Sequence, residues 1–358
     1  MDTFFKDLKV IELANVLAGP AVGMFFAELG AEVIKVENKN TNGDVTRSWK
    51  LPSEDPNSPI SAYYSAVNWN KKNITVDLKL QAEKQKIYDL IKDADVVITN
   101  YKPGDDLKLG MDYETLKKIN PGLIYGHITG FGDDSSRTAY DLVLQAETGF
   151  MFMNGTAESG PVKMPVALID VLAAHQLKEG ILVALIKKLK TGKGSKVSVS
   201  LYDAAIASLA NQASNWLMAG HDPQRNGSLH PNIAPYGEIF TTADKKMIVL
   251  AIGNNKQFKQ LCSILKMEEL ISDLKFSANT DRVKNRTELF RILREVIKNY
   301  PADKLMTDLI KNDIPAGYIR SVKEVFENDP AASLILKEIS VSEGLSKRVK
   351  TAIFNIID

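Results

Sequence analysis

The chain has 358 residues, of which 45 are basic and 44 acidic, giving a formal net charge of +1. That balance excludes the strong basic excess of a general nucleic-acid binder, and 44% hydrophobic with 25% charged residues is an ordinary globular composition. One cysteine, Cys262, excludes an intrachain disulfide framework and any cysteine-cluster metal site, and the length suggests about two domains.

The opening Met1–Asp7 segment has no basic stretch followed by an apolar one, so no signal peptide is expected. The most apolar helical segment, Ile181–Ile186, follows Lys178 and Glu179 and is too short for a membrane span. A soluble cytoplasmic protein is therefore expected, with no membrane or nucleic acid among its partners.

Leu8–Leu13 reads as a short apolar strand. Ala18-Gly19-Pro20 follows, where Pro20 suits a first helical turn. The helical pattern runs through Leu29 and stops at Gly30, and Val33–Val36 forms the next strand. Further strands fall at Ile74–Leu78, Val96–Thr99 and Leu123–Ile128, with a helix over Gln81–Lys92 between the first two. Strand, helix and strand at these lengths imply a parallel sheet with helices on its faces. The fold class is α/β, Rossmann-like in general plan. The dinucleotide fingerprint is nevertheless missing, because Ala14–Pro20 holds one glycine where that motif needs three, and no P-loop occurs either.

From Asp170 to Lys190 the pattern is a long helix, followed by the basic turn Thr191–Gly194, a strand over Lys196–Leu201 and a helix from Asp203. Between Asn211 and Pro231 the composition shifts to Asn, Gly, His and Pro, as in a linker. Two strands, Tyr236–Thr241 and Met247–Ile252, then join through Asp244-Lys245-Lys246. Helices are expected at Lys256–Leu265, Thr287–Asn299 and Asp303–Lys311. The expected layout is a large domain over 1–210, a linker over 211–232, a smaller α+β domain over 233–315, and a linker with a C-terminal return to the large domain over 316–358. Cys262, on an amphipathic helix, reads as a buried inert thiol.

Asp170 is the strongest chemical candidate. It ends the run Met164–Ile169 and heads the long helix. An aspartate there is the ordinary N-cap, accepting orphan amides of the first turn. A carboxylate at a helix N-terminus is also held ionised by the dipole, and ionised carboxylates attack activated acyl groups to form anhydrides. Both readings stand on the sequence.

Asn100-Tyr101-Lys102-Pro103-Gly104, Asn120–Tyr125 and Thr129-Gly130-Phe131-Gly132 occur in order, after Ala18-Gly19-Pro20, Val33–Glu37 and Asn68–Lys72, and before Ile169-Asp170 and Thr191–Gly194. This succession, from about residue 8 to 330, resembles the class III CoA-transferases, the family of formyl-CoA and carnitine CoA-transferases. The resemblance implies that Asp170 attacks an acyl-CoA thioester and that CoA moves to a carboxylic acid through aspartyl anhydride and aspartyl-CoA thioester intermediates. It implies no permanently bound cofactor and no metal, with a coenzyme A thioester as substrate. It also implies a homodimer whose two chains interlink.

Carried over by position, Val16, Leu17 and Ala18 line the channel near the thiol, and Val76 and Lys79 flank the adenine end. Asn100, Tyr101, Lys108 and Leu109 contact nucleotide and pantetheine, and Arg137 is a phosphate-side cation. Asp141, following Tyr140, is a supporting polar group near the thioester. Taken singly, Lys71, Lys72, Lys79 and Lys108 also read as solvated surface. Several positions depart from the formyl-CoA transferase pattern: Asn15 stands for a histidine, Leu17 for a glutamine, and Asn38 for an arginine. Lys39 is a substitute cation that lacks the planar fork of arginine. The apolar Leu17 suits an acyl group larger than formate or oxalate. Gly253-Asn254-Asn255 approaches the family's glycine-rich loop, with capping of a short strand as its competing role.

Two other functions compete. A 2-methylacyl-CoA racemase of the same superfamily needs an acid/base pair at the α-carbon, and that branch has a histidine where this chain has Tyr140; the nearby His127 reads as packed within a strand. A non-catalytic acyl-CoA binding protein would use Asp170 only as an N-cap.

Overall fold

The computed structural model describes residues 4–327, 329–340 and 344–357. The chain divides into two compact units, one of Met1–Phe152, Lys163–Pro223 and Ser333–Asp358, the other of Met153–Val162 and Gln224–Ala332.

The first unit is built on six strands: β1 (Lys9–Glu12), β2 (Glu32–Asn38), β3 (Lys72–Val76), β4 (Val96–Thr99), β5 (Ile124–Thr129) and β6 (Ser195–Ser200). They form one sheet in the order β3-β2-β1-β4-β5-β6, with every neighbouring pair parallel. The α/β expectation holds, and the strand order is that of a doubly wound nucleotide-binding sheet.

Central strands are buried on both faces, so they read as continuous apolar runs rather than alternating ones. All four residues of β4 and all six of β5 are buried, whereas the edge strands β3 and β6 are largely open. Successive side chains point to opposite faces. Val10, Val96, Ile98 and Ile124 therefore pack with the helices Ala18–Glu28 and Leu168–Thr191, while Ile11, Val97 and Tyr125 pack on the other side with Ile87, Ile91 and Leu116. Gly126 on β5 lets the long helix approach closely, since a Cβ there would lie 2.9 Å from Ile181 Cδ1.

The sheet's strand order reverses at β1 and β4, and ligands of such sheets bind beyond the carboxyl ends of the strands at that switch point. Leaving β1, the chain runs through Ala14–Leu17 into the Ala18–Glu28 helix; leaving β4, it runs through Asn100 and Tyr101. The 24-residue helix Leu168–Thr191 ends at Gly192, whose φ of +68° and amide bond to Lys188 O close the last turn. No helix among the described residues is long and apolar enough to cross a membrane.

The strands β10 (Ile335–Ser340) and β11 (Gly344–Val349) pair antiparallel in the first unit, and Arg348 forms a buried ion pair with Glu28 at the end of the first helix. Glu28 also accepts from the amides of Thr351 (3.0 Å) and Ala352 (2.6 Å).

The second unit holds an antiparallel sheet of β7 (Tyr236–Thr241), β8 (Met247–Ala251) and β9 (Ala316–Tyr318), with Phe240, Phe258, Leu261, Leu293 and Leu309 in its core. Because β9 pairs with β8, residues 316–318 complete this sheet rather than begin a return, and the stretch 211–232 starts inside the helix Ala210–Ala219. Cys262 is buried, as its amphipathic spacing indicated, and burial pushes its thiol up to about 12.

Candidate active site

Two adjoining cavities in the first unit, of about 290 and 200 Å³, share Asn15 and Tyr101. The smaller brings together Val16, Leu17, Ala18, Asn100, Tyr101, Arg137, Tyr140 and Asp170. The larger brings together Val76, Lys79, Tyr101 and Leu109. Of the residues given a catalytic or CoA-contacting role from the resemblance, Lys39, Lys108 and Asp141 line neither. Lys39 is exposed in a short 3-10 turn, and Lys108 is exposed and paired with Asp105 at 2.8 Å. Arg137 forms a two-pronged pair with Glu147 and lies over the Phe131 ring, 4.3 Å from its centroid. Its charge is already matched within the chain.

Asp170 is not the N-cap. The long helix begins at Leu168 with Ala167 in the capping position, which places Asp170 third in the first turn. The orphan amide of Ile169 is instead bound by Asp141 Oδ1 at 2.7 Å. A carboxylate from another helix thus supplies the cap, and Asp170 is released from that duty. Among the described residues the Asp170 carboxylate accepts no hydrogen bond, although the residue is only 8% exposed.

That environment corrects the expectation that the dipole keeps this carboxyl in its ordinary acidic range. Burial, and then the neighbouring Asp141 charge, push Asp170 up to about 7. The same carboxylates reach Tyr63: burial, then Asp170 and Asp141, raise its phenol to about 12.

Asp141 is itself held. Gln145 Nε2 donates to Asp141 Oδ2 at 2.7 Å, and Gln145 Oε1 accepts from the Met164 amide at 2.8 Å. Gln145 is fully buried, and its role was not legible in the sequence because it looks like any polar residue of a short helix. Tyr140, in the capping position of that helix, is 57% exposed.

A buried charge cluster lies behind the cavity wall. Lys35 Nζ reaches Glu12 Oε1 at 3.1 Å, Asp44 Oδ2 at 3.1 Å and the Ala14 carbonyl at 2.9 Å. Lys71 Nζ reaches Glu12 Oε2 at 2.7 Å, Asn68 Oδ1 at 3.0 Å and the Pro20 carbonyl at 2.8 Å. Lys71 is therefore not a solvated surface lysine; burial draws it down to about 7 against the pull of Glu12. For Lys35, burial works downward but Glu12, Asp44 and Glu37 outweigh it, so its pKa lies above the ordinary value. Asp44 is kept below the usual carboxylate range by Lys35 and Thr46, despite burial. The sequence signal was a charge set inside an apolar strand, as in Val10-Ile11-Glu12-Leu13 and Val33-Ile34-Lys35-Val36.

His127 is buried on β5, with Nε2 3.0 Å from Tyr101 O and Nδ1 3.4 Å from Asp133, in keeping with its reading as a packed residue. In the second unit, Asn254 caps the helix Asn255–Leu265 by accepting from the Gln257 amide at 2.9 Å, and Asn255 accepts from Arg282 at 2.9 Å. The Gly253-Asn254-Asn255 loop thus caps a helix rather than a strand, and both asparagines are committed.

Comparison with known proteins shows the family of the chain. Residues 5–343 match the family CoA-transferase family III. The chain is 40% identical over 327 residues to a succinate–glutarate CoA-transferase of Agrobacterium fabrum, covering 90% of this chain and 81% of that protein. It is 38% identical to a human succinyl-CoA:glutarate CoA-transferase, covering 90% of this chain and 73% of that one. A crystal structure of a CaiB/BaiF family protein from Brucella suis superposes with a TM-score of 0.85 at 38% identity, covering 99% of this chain and 93% of that one.

Proposed function

The chain belongs to CoA-transferase family III and is an enzyme that transfers CoA; from that premise we propose that Asp170 is the nucleophile and that CoA passes from a succinyl-type thioester to a dicarboxylic acid such as glutarate. The observation that carries the reading is the Asp170 carboxylate, buried at the head of a helix, free of hydrogen bonds among the described residues and lining one cavity with Val16, Leu17 and Ala18. The relatives' names supply the substrate class.

An Asp170 oxygen attacks the thioester carbonyl, the C–S bond breaks, and CoA departs as thiolate, leaving a mixed anhydride. The thiolate then attacks the Asp170 carbonyl carbon, the anhydride C–O bond breaks, and the donor acid leaves as carboxylate. The enzyme now holds an Asp170–CoA thioester. An incoming carboxylate attacks it, forming a second anhydride and freeing the thiolate. Attack of the thiolate on the acceptor's carbonyl gives the new acyl-CoA and restores the Asp170 carboxylate. No proton is consumed, so the charged form of Asp170 is required at entry.

Asp141 acts at one remove, holding the Ile169 amide and thereby the first turn that carries Asp170. The exposed stripe Val183, Ile186 and Leu189 along the long helix, at 67%, 54% and 87% exposure, supports a homodimer in which that face is covered, and the interlinking of its chains rests on the family resemblance alone. Sedimentation at a single-chain mass would remove this part of the proposal.

The test is Asp170→Ala with succinyl-CoA and glutarate: transfer should vanish while the far-ultraviolet circular dichroism is kept. Wild-type enzyme mixed with succinyl-CoA alone should carry the mass of CoA on a peptide containing Asp170. Turnover by the alanine variant near the wild-type rate would refute the assignment. Solvent deuterium appearing at the α-carbon of a 2-methylacyl-CoA, without change of carboxylate partner, would favour the racemase reading instead.

A further inference from the structure

The turn between β1 and the first helix is held in an unfavourable shape. Val16 has φ of +72°, in the left-handed region, and it is β-branched, the type least tolerant of that conformation. Its neighbours on the cavity wall, Leu17 and Ala18, begin the helix that follows.

The surrounding contacts are those needed to keep the turn there. The Val16 amide donates to Asp44 Oδ2 at 3.1 Å. The preceding residue is held at both of its backbone groups, since Asn15 N donates to Asn100 Oδ1 at 3.0 Å and Asn100 Nδ2 donates to Asn15 O at 2.8 Å. Carbonyls at the two ends of the turn, Ala14 O and Pro20 O, accept from Lys35 and Lys71. These two ammonium groups share Glu12, and Lys35 also pairs with Asp44. Gly23 leaves room for this cluster, because a Cβ there would overlap the Glu12 carboxylate. Thr46 fixes Asp44 from the far side, its amide at 3.0 Å and its hydroxyl at 2.8 Å from Oδ1.

We propose that the buried cluster of Glu12, Lys35, Asp44 and Lys71 is a positioning device that locks Val16 in its left-handed conformation and so fixes the cavity wall that Asp170 shares. The inference rests on the proposed role of Asp170 and adds positioning residues to it. None of the four needs to touch the thioester; they act through the backbone of residues 14–20. Without the Asp44 anchor, Val16 relaxes toward negative φ, the wall shifts, and the bound thioester loses alignment with the nucleophile. A displacement of about 1 Å from the reactive geometry lowers a rate by about 100-fold.

The experiment measures kcat and KM for succinyl-CoA, with glutarate as acceptor, in wild type and in Asp44→Asn, Val16→Gly, the double variant Asp44→Asn/Val16→Gly, and Asp170→Ala. Asp44→Asn should lower kcat by about 100-fold while KM changes by less than about threefold. Glycine adopts positive φ without strain, so adding Val16→Gly to Asp44→Asn should recover at least about tenfold in kcat, equivalent to about 1.4 kcal/mol in the barrier. A merely structural role for Asp44 predicts no such rescue. If Asp44→Asn does not fold, Thr46→Val takes its place: it removes one bond to Asp44 but keeps the ion pair, and should lower kcat by about tenfold, reversibly by Val16→Gly. Unchanged kcat in the folded anchor variant, or a loss that glycine does not relieve, overturns the inference. If Asp170→Ala retains transfer, the nucleophile assignment fails; if it is inactive and Asp44→Asn behaves as wild type, only the positioning role fails.

Discussion

Replacing Asp170 by asparagine should make the protein more stable in mild alkali while removing its chemistry. The carboxyl lies at about 7 in the folded chain against an ordinary value of 3.8, because burial and the Asp141 charge disfavour the anion. Between those two values the folded state binds more protons than the unfolded state, so stability falls as pH rises from about 4 through about 7. Above that window the whole penalty is present. At 1.36 kcal/mol per pH unit, the interval from 3.8 to about 7 corresponds to roughly 4 kcal/mol. Asparagine keeps the shape and carries no charge, so the variant escapes the penalty. Denaturant unfolding of wild type and Asp170→Asn at pH 4 and pH 8 reads the difference, with intact mass confirming that the asparagine has not deamidated. The variant should be close to wild type at pH 4 and several kcal/mol more stable at pH 8. Equal stability at pH 8, or a gain that is larger in acid, would show that the buried carboxyl does not store this energy.

If Asp170 is the nucleophile as proposed, the same carboxyl sets a pH–rate profile: kcat/KM should rise through about pH 7 as it ionises, and the limb should be absent from the pH dependence of CoA binding. Asp141→Asn removes the like charge, so the limb should move to lower pH; a shift to higher pH would contradict the electrostatic account. Gln145→Leu strips the partner from the Met164 amide and from Asp141 Oδ2, and should cost about 1–3 kcal/mol in denaturant unfolding. Glu28→Ala leaves Arg348 buried without its carboxylate and frees the Thr351 and Ala352 amides, at a cost of about 3–5 kcal/mol. Faster proteolysis after residue 333 is the accompanying readout, and an unchanged digestion pattern would count against it.

The parallel sheet was legible because buried strands announce themselves: Val96–Thr99 is an apolar run closed by a threonine and is kept as expected, and the strand expected at Leu123–Ile128 forms one residue later, at Ile124–Thr129. The helix over Gln81–Lys92 matched at both ends, since its apolar residues recur on one face. The prominence of Asp170 was also readable, but not its freedom. That depends on Asp141, 29 positions earlier in the chain, taking over the cap. No local pattern encodes such an exchange. The Glu12–Lys35–Lys71–Asp44 cluster escaped for a related reason: single charges in strands look like irregularities until the fold brings four of them together. Lys71, taken singly, also reads as surface because nothing local shows the Glu12, Asn68 and Pro20 oxygens that the fold brings to its ammonium. β9 was missed as part of the second unit because three residues are too few for periodicity to speak.

The unit that carries Asp170 is discontinuous, with Ser333–Asp358 returning to it after the whole of Gln224–Ala332. During synthesis the sheet and its long helix emerge well before the segment that holds Glu28, so an early intermediate has a buried-type carboxylate with neither Arg348 nor the Thr351 and Ala352 amides. Closing contacts of such long sequence separation is slow compared with forming local ones. A nascent chain stalled short of residue 333 should therefore be protease-sensitive around the Ala18–Glu28 helix, and reach its resistant form only after the remaining residues have cleared the ribosomal tunnel.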